Sequence, residues 1–258
     1  MRYTHCSEAS MEEIHVSLAA YFERVRELLE AIMANEAEPM RQVAELLATC
    51  IREDHIVYTF GSGHSSLLAA EGLFRAGGLA CVSAILEPTT TFAGGALAGT
   101  AIERMPGISR NVMARYEVAE GDVLVVFSNS GVNALPVELT EYCRDRGLTT
   151  VAITSCRYVA QAAGANTRAT LLDVADYVID NHVPPGDAAI EVGSDRQPVA
   201  PLSTIAGAII WNALVADVSE RLVDLAITPP VYVSSNMTGA KGVNAALVDR
   251  YRHRIRNL

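Results

Sequence analysis

A chain of 258 residues, half of them hydrophobic, has enough apolar content for one generous α/β domain or two small ones. Its formal charge of −10 argues against nucleic acid or an anionic membrane surface as a partner. Lys241 is the single lysine among 20 basic residues, and its surroundings offer no burial, so Schiff-base chemistry is set aside.

The five cysteines (Cys6, Cys50, Cys81, Cys143 and Cys156) are odd in number and never spaced C-x-x-C. They read as small buried hydrophobes in a reducing compartment, with no metal and no disulfide frame expected. The N-terminus is unlike a signal peptide, and the most apolar run, 202–216, is too short to span a bilayer. These features predict a cytoplasmic protein with no membrane partner.

In chain order, Ile14, Leu18, Tyr21, Val25, Leu28 and Ile32 recur at steps of three and four, which predicts a helix over 11–34. Glu36 to Pro39 is expected to break it, and a second helix runs over 40–52. This helical hairpin, residues 1–54, carries an apolar stripe in need of cover. The cover is either the chain's own sheet or a second subunit, which points to a homodimer or homotetramer. Eleven acids against five arginines before His55 would repel DNA.

From His55 short β-branched runs alternate with helical stretches. Strands are predicted at 56–60, 79–85, 123–127, 149–154 and 177–180, with a short extended piece at 188–192. Helices are predicted from the first glycine-rich turn to about 76, over 101–119 in one or two pieces, and after 133 to about 146. Residues 87–99 read as a loop. The stretch 203–226 is apolar nearly all round and is expected to be a buried helix, and a last helix spans 239–256. Strand–helix alternation predicts an α/β, doubly wound, flavodoxin-like sandwich of three αβα layers. Its centre is a five-stranded parallel sheet within residues 55–258. In such sheets ligands lie at the carboxyl ends of the strands.

Two loops at that edge carry the candidate chemistry. Gly61-Ser62-Gly63-His64-Ser65 joins a strand to a helix, and backbone N–H groups at a helix start suit an anion. Read plainly, it is a tight turn with Ser65 as N-cap. Gly61 and Gly63 also match part of a dinucleotide fingerprint, with Glu87 as the ribose acid, but Ser66 stands where a third glycine belongs. Ser128-Asn129-Ser130-Gly131-Val132-Asn133 repeats the strand–loop–helix arrangement. Two such loops can surround a phosphate with neutral donors, which a dinucleotide site does not require.

The pair F-G-S-G-H-S and F-S-N-S-G-V-N resembles the sugar isomerase (SIS) domain, whose loops read G-x-G-x-S and S-x-S-G-x-[ST/N]. The resemblance runs from about His55 to Pro230. Phe74 to Gly78, Asp180-Asn181 and Gly186-Asp187-Ala188 bring it close to the branch that carries the phosphoheptose isomerase label. The resemblance implies a phosphorylated sugar as ligand, held by Ser62, Gly63, His64, Ser65, Ser128, Asn129, Ser130 and Asn133. It also implies a cofactor-independent aldose–ketose isomerase.

Isomerisation needs a base between C1 and C2 and a donor at the carbonyl oxygen. Glu71, six residues after Ser65 among apolar neighbours, is the candidate base, although it stands earlier on its helix than the catalytic glutamate of the phosphoheptose isomerases. A plain surface pair with Arg75 is its alternative. His182 and Asp187, on the loop after the fifth strand, are further candidates, against a satisfied loop histidine and a turn-forming aspartate. The run Arg250 to Arg256 reads as a helix end whose cations offset its dipole. The competing functional readings are a non-catalytic phosphosugar-binding module and a nucleotide-cofactor oxidoreductase.

Overall fold

A computed structural model describes residues 16–163 and 169–258. Ile14, the first position of the apolar seam, lies outside the described residues, as do His5, His15 and Cys6.

Strands β1 (Val57–Gly61), β2 (Val82–Ile85), β3 (Val123–Phe127), β4 (Thr149–Thr154) and β5 (Tyr177–Asp180) form one parallel sheet in the order β2-β1-β3-β4-β5. Both faces of such a sheet are covered, which is why Val123-Leu124-Val125-Val126-Phe127 is apolar without alternation and buried throughout. The crossover from β1 to β2 runs one way and that from β3 to β4 the other. Right-handed crossovers then put α3 (Ser65–Glu71) and α6 (Ala134–Arg144) on opposite faces. Helix α3 packs with α9 (Ser203–Asp224) and α9 with α2 (Ala37–Arg52), while α6 packs with α5 (Ser109–Met113) and α8 (Leu171–Val174). The strand order reverses between β1 and β3, where doubly wound sheets open a crevice.

Several elements differ from their sequence-based expectation. Helix α1 (Val16–Asn35) is separated from α2 by Glu36 alone, because Pro39 falls in the first turn of α2, where its missing N–H has no helical partner to lose. The buried face of α2 (Val43, Ala44, Leu47, Ala48, Cys50 and Ile51) joins the same core as the sheet. Helix α9 is not buried all round: Ile210, Trp211, Leu214 and Val218 face the core, while Ile209 and Val223 are exposed. Residues 87–99 are not all loop. Two single 3-10 turns lead into α4 (Ala96–Ile102).

Helix α3 ends at Glu71, well short of 76. Gly72 follows against Trp211, and Phe74 takes a φ of 44°, a backbone no helix continues through. Residues 79–81 are not part of β2; Leu79 instead makes an antiparallel bridge to Val231. The extended piece Ala188–Val192 (β6) pairs with Gln197–Pro201 (β7) as a separate antiparallel hairpin. The sequence hid β7 because two prolines demote a strand, yet the outer positions of a hairpin tolerate them.

Cys50, Cys81 and Cys143 are buried, whereas Cys156 is only partly so. Among the described residues, no helix is long and apolar enough to cross a membrane.

The C-terminal run sets Arg250 in the last turn of its helix and Arg252 at the C-cap, as expected of a helix end, but the helix is shorter than 239–256. Helix α10 (Ala240–Tyr251) stops before Arg254, which approaches Asp122 at 3.6 Å. Asp122 is fully buried and accepts the Ile56 N–H and the Ala119 N–H, each at 2.8 Å, which ties the starts of β1 and β3 together. Replacing Asp122 with Ala strands the buried Ile56 N–H, worth about 1–3 kcal/mol, and removes the charged acceptor of the more exposed Ala119 N–H, worth about 1 kcal/mol. The expected outcome is a loss of about 3 kcal/mol in stability, measured as a lower urea midpoint at unchanged slope.

Candidate functional site

The pairing of β1 with β3 builds the site. Gly61 sits opposite Phe127, so the two serine loops leave the sheet side by side at its switch point. In the first loop Gly63 takes a φ of 54°, donates its N–H to Thr90 O at 2.9 Å, and accepts the Ser66 hydroxyl at 2.6 Å. His64, not Ser65, is the N-cap of α3, and no side chain caps it. The exposed His64 ring lies edge-on to Phe92 at 4.6 Å. Ser65 is half-buried, with its N–H donated to Ser62 O at 3.1 Å.

The second loop is held from within and from its neighbours. The buried Ser128 hydroxyl accepts the Gly131 N–H at 3.3 Å, so it shapes the loop. Thr154 donates its hydroxyl to Ser128 O at 2.6 Å. Asn129 accepts from the Asn181 side chain at 3.0 Å, joining this loop to the one after β5. The Asn129 Nδ2 is buried without a partner among the described residues. Ser130 is half-buried and makes no hydrogen bond within the described residues, and Asn133 stands at the start of α6 with its side chain uncommitted.

The structure engages the three candidate catalytic groups in bonds to residues outside these loops. Glu71 is the last residue of α3, roughly 9 Å of helix below its start. There it pairs with Arg75 and accepts from Asn212, so the plain surface pair is what the geometry supports. Asp187 spends both oxygens at the start of α9, accepting the Leu202 and Ser203 N–H groups at 3.0 and 2.8 Å and the Ser203 hydroxyl. His182 meets buried Glu36 at 2.8 Å, and the other Glu36 oxygen accepts the Asp180 N–H. It thus locks the β5 loop onto the α1–α2 junction.

One carboxylate that sequence reasoning overlooked does lie at the loops. The Ser62 hydroxyl donates to Glu103 Oε2 at 2.7 Å, and the Glu103 carbonyl accepts the Leu135 N–H of α6 at 3.0 Å. Glu103 thereby links the first loop to the first turn of α6, with its side chain 14% exposed. A usable signal existed: it is the sole acid between Glu87 and Glu117. Glu87, the candidate ribose acid, is held by Arg115 at 2.9 Å.

Cys156 donates its backbone N–H to Asp180, and burial together with that carboxylate pushes its thiol up to about 12, too high for a nucleophile. Among the described residues no three His, Cys, Asp or Glu side chains gather as a metal would need. A separate cavity of about 640 Å³ opens between α1 and the β6–β7 hairpin, lined by Arg24, Glu27, His182, Glu191 and Arg196 but by none of the serine loops.

The model of the SIS domain matches residues 20–155. A UPF0309 protein of Brucella canis is 43% identical over 234 residues, which cover 91% of this chain and 96% of that relative. The chain belongs to the UPF0309 group of SIS-domain proteins. A UPF0309 protein of Brucella anthropi is equally similar, at 43% over 234 residues, 91% of this chain and 96% of its own. The phosphoheptose isomerase GmhA of Neisseria gonorrhoeae superposes with a TM-score of 0.52 at 21% identity, over 79% of this chain and 97% of that one, which establishes the shared fold.

The SIS-type second loop depends on one glycine. Gly131 has a φ of 61°, and a Cβ there would lie 2.5 Å from Val159 Cγ2 and 2.9 Å from Thr154 Oγ1. Gly131→Ala is expected to cost about 2 kcal/mol through backbone strain and overpacking. Thermal unfolding of the variant measures that cost, and amide exchange should report the loss of protection within residues 128–133.

Proposed function

We propose that this SIS domain binds a phosphorylated sugar across the two serine loops and interconverts its aldose and ketose forms without a cofactor. The observation that carries the reading is the Gly61–Phe127 register, which brings both loops to one crevice. Membership of the SIS family supports the ligand class, and the fold shared with a phosphoheptose isomerase is consistent with it. The phosphate belongs at the second loop. Ser130, the Asn133 side chain and the Ala134 N–H offer uncommitted donors there, since Leu135 is bonded to Glu103 and Pro136 has no N–H, and an eleven-residue helix supplies a dipole. Ser62 serves the other end of the ligand, because a dianion beside the Glu103 carboxylate would be repelled. The exposed apolar side chains Phe22, Met33 and Ile209 on the N-terminal hairpin and α9 support a homo-oligomer as the working form.

The second reading is a phosphosugar-binding module without catalysis. It draws on the structural bonds that occupy Glu71, His182 and Asp187. Both readings share the ligand and part on turnover. A sugar phosphate at about a hundred times its dissociation constant should raise the melting temperature by about 5–10 °C, while its unphosphorylated parent should not. Ser130→Ala should shrink that shift at the same concentration. Equal shifts from sugar and sugar phosphate would contradict the assignment of the second loop to phosphate.

A further inference from the structure

We infer that Glu103 is the base that moves the proton between C1 and C2, an assignment that rests on the isomerase reading above. Three facts converge on it. Its carboxylate touches Ser62 at 2.7 Å in the first loop, and its carbonyl holds Leu135 in the first turn of α6 at 3.0 Å. Its side chain is 14% exposed, dry enough to act and open enough to be reached. Glu71 and Asp187, by contrast, are engaged away from both loops.

The local sequence explains the placement. Helix α4 is short and apolar on its way in, and Glu103 is its C-cap, donating its N–H to Gly99 O at 2.9 Å. The Leu135 bond then fixes the backbone of Glu103 against the start of α6, so the carboxylate cannot swing with a loose loop. Arg104 pairs with Oε1 at 2.8 Å but is itself largely exposed, so this pair is weak and exchangeable. Among the described residues Oε2 receives only the Ser62 hydroxyl, a donor that can rotate toward a ligand oxygen. With the phosphate at Ser130, the carbonyl end of an open-chain sugar reaches back toward Ser62 and Glu103.

The step balances without a co-reactant. Glu103 takes the proton from C2 of the aldose, and the C–H electron pair forms the C1=C2 bond. The former carbonyl oxygen on C1 accepts a proton from water, leaving an enediol. Glu103 then returns its proton to C1, while the hydroxyl on C2 releases its proton to water and becomes the ketose carbonyl. The carboxylate ends as it began.

The test uses the full-length protein with ribose 5-phosphate, glucose 6-phosphate and sedoheptulose 7-phosphate as probes. Deuterium uptake from solvent into the sugar carbon next to the carbonyl is followed by proton NMR, alongside the thermal shift. Glu103→Gln preserves an acceptor for Ser62 and should keep the wild-type shift while losing exchange by about 100-fold or more. Wild-type exchange in that variant would overturn the inference and leave phosphosugar binding standing. A wild-type protein that shifts but never exchanges would also overturn it, in favour of the binding module. Absence of both shift and exchange with all three probes would sink the inference together with the reading beneath it.

Discussion

The parallel pairing of β1 with β3 is the contact on which the rest depends. It sets Gly61 beside Phe127, so whatever follows either strand is delivered to the same crevice. The pairing is anchored at the opposite edge by Asp122, whose two oxygens take N–H groups from before each strand. A one-residue slip would flip every side chain of two fully buried strands to the other face, which the core forbids. Stability at one end of the sheet therefore sets geometry at the other.

Around that crevice the chain divides its polar groups between two tasks. Ser128, Asn129, Thr154 and Asn181 bond to one another and hold the second loop in shape. Among the described residues Ser130 and Ser65 are left with uncommitted hydroxyls, and a site for a small anionic ligand needs both kinds. The division also explains how an acidic chain can accommodate a phosphate, since fixed neutral donors act locally while the net charge is spread over the surface.

Strands β3, β4 and β5 were legible to the residue, because β-branched runs between glycine and acid-rich turns have no competing helical period. The serine loops and the SIS resemblance were legible for the same reason, as each motif is local. What the sequence concealed was tertiary. Glu71 reads as a partly desolvated base from its apolar neighbours, yet the early end of α3 at Gly72 leaves it to Arg75, its alternative partner, and to Asn212. Asp187 and His182 stand on the expected edge, but their partners lie about fifteen and well over a hundred residues away in sequence. Glu103 sits in a stretch with no motif, and only its lone negative charge marked it.

The most direct test of the account is a crystal structure of the protein soaked with a sugar phosphate. The account predicts the phosphorus within hydrogen-bonding reach of Ser130 and the start of α6, with the sugar carbons extending toward Ser62. Phosphorus lodged instead against Arg24 and Arg196, in the cavity between α1 and the β6–β7 hairpin, would contradict it.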